Sequence, residues 1–267
     1  MRNLFSKSKN YLFFIIFFVC VCSTTSGKNY KKDFYQIIIY TLKSDEQVFA
    51  VDLFLKNAYL PAMHKAGINK IGVFKPIVND TAQVKKIYVF IPFTSLEQWQ
   101  KLSDILDKDA AYQTASKEYT DAAADKKPFE RIESILLEAF PMHTQFELPG
   151  LKNPLTQRVY ELRSYESPTE HLHKVKVKMF NEGGEIALFK KLGFNAVFYA
   201  RVLSGSKMPN LMYMTTFENR EDRDAHWKSF GSSPEWKRLS AMPEYENKAS
   251  VSRNETILMH PAEYSDF

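Results

Sequence analysis

The sequence predicts an α+β fold in which two tandem β-α-β-β-α-β units bring their sheets face to face as an α/β barrel. Three observations carry the prediction. Two strand-like segments place Tyr35 and Tyr160 125 residues apart, two helix exits of the form Lys-x-Gly lie 126 apart, and Phe93 and Phe217 end two aromatic strands 124 apart. A spacing this constant marks an internal duplication.

Taken in order, residues 34–40 (FYQIIIY) and 158–165 (RVYELRSY) have the β-branched and aromatic content of strands. A helical stretch follows each and exits at Lys65-Ala66-Gly67 and Lys191-Leu192-Gly193, where a glycine just past the helix accepts positive φ without strain. Strands come next at 70–74 and 195–202, then at 86–93 and 211–217. Each third strand runs into a polar helix start, with Ser95 and Asn219 as N-caps, and strands at 131–137 and 255–259 close the two units. This is the ferredoxin-like order, twice. Two helices on one face of a four-stranded sheet leave the other face bare. In a single-repeat chain a dimer mate covers that face; here one chain supplies both sheets. The protein is therefore expected as a monomer with an internal pseudo-dimer, or as a homodimer. Pro149-Gly150 and Asn153-Pro154 punctuate the join, giving a first unit at 28–145, a linker at 146–156 and a second unit at 157–267.

Residues 1–27 stand apart. Arg2, Lys7 and Lys9 precede the apolar run 11–22 (YLFFIIFFVCVC), and small residues lead to Gly27. This is the three-part pattern of a secretory signal peptide, and the run is shorter than the roughly 20 apolar residues of a membrane span. Cleavage is expected after Gly27, with Ser23 as second candidate, and the remainder is expected to be exported, periplasmic or secreted, meeting a membrane only through the signal. A lipidated Cys20 or Cys22 is the weaker rival, because valines rather than small residues precede both cysteines. Removing residues 1–27 lowers the formal charge from +5 to +2 over 240 residues and takes away both cysteines. A disulfide scaffold and Cys-rich metal frameworks are thereby excluded. The near-neutral remainder also gives no electrostatic footprint for nucleic acid.

The chemistry-bearing residues concentrate in the second unit. Strand alternation puts Glu161, Arg163 and Tyr165 on one face, with Tyr199 and Arg201, and Tyr213, on the corresponding faces of the next two strands. If that face lines the space between the sheets, Arg163, Tyr165, Tyr199, Arg201 and Tyr213 form an aromatic pocket with guanidinium forks suited to a carboxylate or phosphate. Glu166, at the end of the same strand, is a further ligand candidate; the alternative is an arginine simply paired with Glu161 or Glu166. The segment Met179-Phe180-Asn181-Glu182-Gly183-Gly184-Glu185 interrupts a helix with two glycines, a local need for close backbone approach. Asn181 and Glu185 are ligand candidates there, Glu185 as a general base or a metal ligand, and Glu185 and Tyr213 are the catalytic candidates. Asn210, after Met208-Pro209, is a turn residue or a ligand contact. Trp227 and Trp236 read as packing, and His173-Lys174-Val175-Lys176-Val177-Lys178 as one solvated helix face. His171 and His173 have the wrong spacing for a helical metal pair. No His-Glu-x-x-His, Walker A, Gly-x-Gly-x-x-Gly or Gly-x-Ser-x-Gly pattern occurs, so neither a metal nor a cofactor is expected.

Several segments also carry a family resemblance: Arg158 to Glu166 (RVYELRSYE), 178–185 (KMFNEGGE), 208–214 (MPNLMYM), 223–230 (RDAHWKSF) and 233–236 (SPEW). This pattern resembles the NIPSNAP family along roughly residues 157–266. A looser match in the first half rests on residues 59–68 and Gly72-Val73-Phe74. The resemblance implies the dimeric α/β-barrel superfamily but no agreed reaction. Some superfamily relatives bind haem through one histidine, for which His226 or His260 would be the nominee. The function expected is binding of a small organic ligand in an inter-sheet pocket. The alternatives are a cofactor-independent monooxygenase, isomerase or lyase, and a pure protein-interaction module.

Overall fold

A computed structural model describes residues 31–267; the signal reading for residues 1–27 lies outside the described residues. The first repeat runs β1 (Phe34–Leu42), α1 (Asp45–Phe54), a π-helical turn (Leu55–Tyr59), α2 (Leu60–Lys65), β2 (Gly72–Pro76), β3 (Lys85–Phe93), α3 (Leu96–Asp107), α4 (Ala110–Ala115), α5 (Lys117–Thr120) and β4 (Arg131–Ala139). The second runs β5 (Val159–Glu166), α6 (Glu170–Asn181), α7 (Glu185–Lys191), β6 (Asn195–Ser204), β7 (Asn210–Phe217), α8 (Arg220–Ser232), α9 (Pro234–Ser240), α10 (Asn247–Ser250) and β8 (Arg253–Pro261).

The predicted caps form. Ser95 Oγ accepts from the Gln98 amide and Asn219 Oδ1 from the Asp222 amide. Gly67 and Gly193 take φ of +82° and +79°.

The eight strands close one antiparallel barrel in the order β1-β3-β2-β8-β5-β7-β6-β4. Each repeat contributes four neighbouring strands, and two seams join them. At one, Phe74 to Pro76 of β2 pair with Pro261 to Met259 of β8; at the other, β4 pairs with β6 through Leu137↔Val202 and Ala139↔Ala200. The internal pseudo-dimer thus leaves no open sheet edge, the feature that exposes free strands to further pairing.

Inside, the barrel is filled. Tyr35 packs on Phe198 across the repeats (ring centroids 5.2 Å), Phe90 stacks on Phe198 at 5.0 Å, and Phe267 meets Phe74 and Phe146 at 5.7 and 5.3 Å. The inward residues of β5 are Tyr160 and Leu162, in that same core. Among the described residues the expected pocket between the sheets is reduced to a cavity of about 30 Å3 beside Leu162 and Asn210: large aromatic rings occupy most of that volume, and the Arg163 face points the other way, toward the helices. Bulging between Ala196 and Phe198 sends both Val197 and Phe198 inward.

Candidate functional site

Between the outer face of the second sheet and helices α6 to α10 lies a cavity of about 490 Å3. Its buried end is made by Arg163, Tyr165, Lys176, Glu185 and Tyr213; Trp227, Phe230 and Trp236 form a wall; Lys248 and residues 251–254 form an exposed rim. A volume of this size suits a small organic molecule.

The local sequence explains why each side chain arrives there. Alternation along β5 turns Glu161, Arg163 and Tyr165 outward, and Arg163 pairs in register with Tyr213 of β7. Trp227 lies one turn beyond Arg223 on α8, so both reach the same strand. On α6, Lys176 occupies the apolar stripe that runs through Leu172, Met179 and Phe180, which carries it inward instead of into water. Gly184 starts α7 with φ of +90°. A side chain on Gly183 would put its first carbon 2.5 Å from the Met179 carbonyl. The two glycines therefore allow the tight turn that delivers Glu185 back under α6.

Charge is concentrated where water is scarce. Glu161, fully buried, accepts from Arg223 Nε (2.8 Å) and Nη2 (3.1 Å), Trp227 Nε1 (2.7 Å) and Arg163 Nη1 (3.2 Å). The Arg163 guanidinium also sits 4.4 Å above the Trp227 ring, a cation–π contact. Lys176, 1% exposed, donates to Met179 Sδ at 3.1 Å and faces Glu185 Oε2 at 3.7 Å, an ion pair beyond hydrogen-bonding range. Burial pushes the Glu185 carboxyl above its ordinary range, against the opposing pull of Lys176 and Arg163. The Tyr165 and Tyr213 hydroxyls lie 3.1 Å apart, and burial raises both, Tyr213 strongly. Arg163 Nε and Glu185 Oε2 are buried without a hydrogen-bond partner among the described residues. Groups of this kind are rare in native interiors and call for an explanation.

Of the nine residues expected to form the site, Arg163, Tyr165, Glu185 and Tyr213 converge on the cavity. Tyr199 stacks behind Tyr213 at 5.6 Å and supports the wall without lining it. Arg201 instead pins the β4–β6 seam through Glu138, its Nε and Nη2 both 2.9 Å from Oε2. Asn181 receives the Met142 amide and donates to the Val177 carbonyl, tying α6 to the segment that follows β4. Asn210 bonds Ser164 on the inward face of the barrel. Glu166 stands at the rim, 4.0 Å from Arg253 Nε. Sequence reading missed Lys176 and the rim, and took both tryptophans as packing alone. The apolar stripe of α6 was the available signal for Lys176, which contradicts the solvated-face reading of residues 173–178. No group of three or more His, Cys, Asp or Glu side chains suited to a metal occurs among the described residues.

Residues 160–266 match the NIPSNAP family model. The second repeat is similar to NIPSNAP domains. Across both repeats the fold is that of α/β-barrel proteins. A monooxygenase-like protein from Fusobacterium nucleatum superposes with a TM-score of 0.58 at 8% identity, covering 87% of this chain and 93% of that one. A second, from Lactobacillus acidophilus, gives 0.54 at 10% identity over 86% and 94%. An anthrone oxidase-like protein gives 0.51 at 12% over 87% and 92%. At such identities the likeness is one of fold. No curated protein sequence matches the chain. The cavity thus belongs to the NIPSNAP repeat, on the helix-covered side of a barrel it shares with its partner repeat.

Proposed function

We propose that the NIPSNAP repeat binds a small organic molecule between its sheet and its helices, in a protein exported after loss of residues 1–27. The observation that carries the ligand reading is the cavity itself: about 490 Å3 with Arg163, Lys176 and Glu185 at its buried end and three aromatic rings on one wall. Dry charges cost several kcal/mol each unless matched, and a packed apolar core would avoid them. Gly231 lines the opening with nothing within 4 Å of where a Cβ would stand. Native mass spectrometry of the purified protein against a metabolite library tests the reading. A retained small molecule that is lost in Gly231→Leu supports it; no retained molecule under any condition removes it. For export, an N-terminus at Met1 in protein from the native host would end the claim.

A second reading is catalytic. Glu185 is a buried carboxyl with raised proton affinity bearing on the same cavity as the Tyr165–Tyr213 pair, the arrangement of a proton-transfer site. Likeness of fold to monooxygenase-like proteins supports this by analogy only. Solvent deuterium entering a captured ligand with wild-type protein but not with Glu185→Gln separates catalysis from binding.

A further inference from the structure

We propose that the pocket takes a planar organic monoanion, its carboxylate against Arg163 and Lys176 and its ring system along Trp227, Phe230 and Trp236. The proposal rests on the small-molecule reading above and adds the ligand's charge and shape.

The charge comes from the cluster beneath the cavity. Three cations, Arg163, Arg223 and Lys176, are held there with two carboxylates, Glu161 and Glu185. Glu161 is already engaged by both Arg223 nitrogens and the Trp227 indole, so its bond to Arg163, at 3.2 Å, is the longest of the four. Asp224 also meets Arg223, but from the solvent side. Glu185 stands 3.7 Å from Lys176, and burial favours its neutral form, which deepens the positive excess. One added negative charge balances the cluster when Glu185 is ionised and lowers its excess when Glu185 is neutral. Arg163 Nε, buried with no acceptor among the described residues, supplies a donor for it.

A guanidinium favours a two-oxygen acceptor, and Lys176 adds a point charge from the facing helix. At the mouth, Lys248 and Arg253 are exposed cations that draw anions inward. The shape comes from the wall. Phe230 and Trp236 lie 4.6 Å apart, and Trp227 stands edge-on to Phe230 at 5.5 Å, so the ligand body meets aromatic surface.

Isothermal titration calorimetry on the full protein with 2-naphthoate and its neutral isostere 2-naphthamide reads the claim. The acid is expected to bind saturably and at least about tenfold more tightly than the amide, a factor typical of one charge-assisted hydrogen bond. Arg163→Gln should erase most of that preference, and Gly231→Leu should weaken both probes together. Gly231 makes no side-chain contact, so this second variant holds the test if Arg163→Gln fails to fold. Equal or tighter binding of the amide, or no saturable binding of either probe, overturns the charge assignment. The pocket reading survives that result if the library yields a neutral ligand and falls with it if the library yields none. Naphthoate binding unchanged by Gly231→Leu would put the anion elsewhere and overturn the proposal.

Discussion

The two repeats share a scaffold and differ in what they put at one place. β1 pairs with β3 from Phe34↔Phe93, as β5 pairs with β7 from Val159↔Phe217, and Ser44 caps α1 as Thr169 caps α6. With the strands and caps aligned, Arg163, Tyr213 and Lys176 fall on Ile38, Val89 and Val51, and Glu185 falls on Tyr59. In the first repeat these side chains join one apolar cluster; in the second they supply three ionisable groups and a phenol at the buried end of the cavity. The fold is satisfied by the apolar version in the first repeat, so folding alone does not require the charges in the second.

The largest expected effect comes from moving a charge across. Val51→Lys places an ammonium where no carboxylate waits in a fully buried position, and should cost about 4–5 kcal/mol, enough to endanger folding. Urea unfolding measures it, and a loss below 1 kcal/mol would dissolve the contrast between the repeats. Next, Lys176→Val alone strands Glu185 and should cost about 3 kcal/mol. Combined with Glu185→Leu it converts the site to the first repeat's chemistry. The double variant is expected within about 1 kcal/mol of wild type or above it, with ligand binding abolished, since well-packed apolar replacements of buried ion pairs are often neutral or stabilising.

The pH dependence follows from the same pair. Because the Glu185 carboxyl is raised in the folded protein, the native state holds that proton more tightly than the unfolded chain does. Its contribution is most favourable below the ordinary carboxylate value and is lost as pH rises through the folded one. Wild type should therefore lose stability relative to the double variant as pH rises above the ordinary carboxylate value of 4.5; parallel profiles would remove Glu185 as the source. The smallest effects should be symmetric. Ser95→Ala and Asn219→Ala remove equivalent helix caps and should each cost about 1 kcal/mol, as measured by thermal unfolding.

The scaffold was legible because it is repeated. Strand order, both caps and the positive-φ glycines each appear twice at a near-constant offset, and the join carries its own punctuation. What alternation does not reveal is which face of a strand is inner. All eight residues of β7 are buried, because rings pack on one side and helices on the other, so hydropathy marks no direction. This is why alternation alone puts Arg163 on the wrong side of the sheet. Arg201 was misplaced because its partner, Glu138, lies across a seam between repeats that spacing along the chain does not encode. The rim at 248–254 has no periodic pattern at all; only its return into β8 brings it over the pocket.

The closed barrel has one more consequence. Were each half a separate subunit, two-fold symmetry would copy every substitution into both sheets, and a costly polar site would be imposed twice. With both seams inside one chain, the halves meet at the high effective concentration of a covalent tether, so dilution does not part them. One half is then free to remain a greasy counterweight while the other drifts toward chemistry.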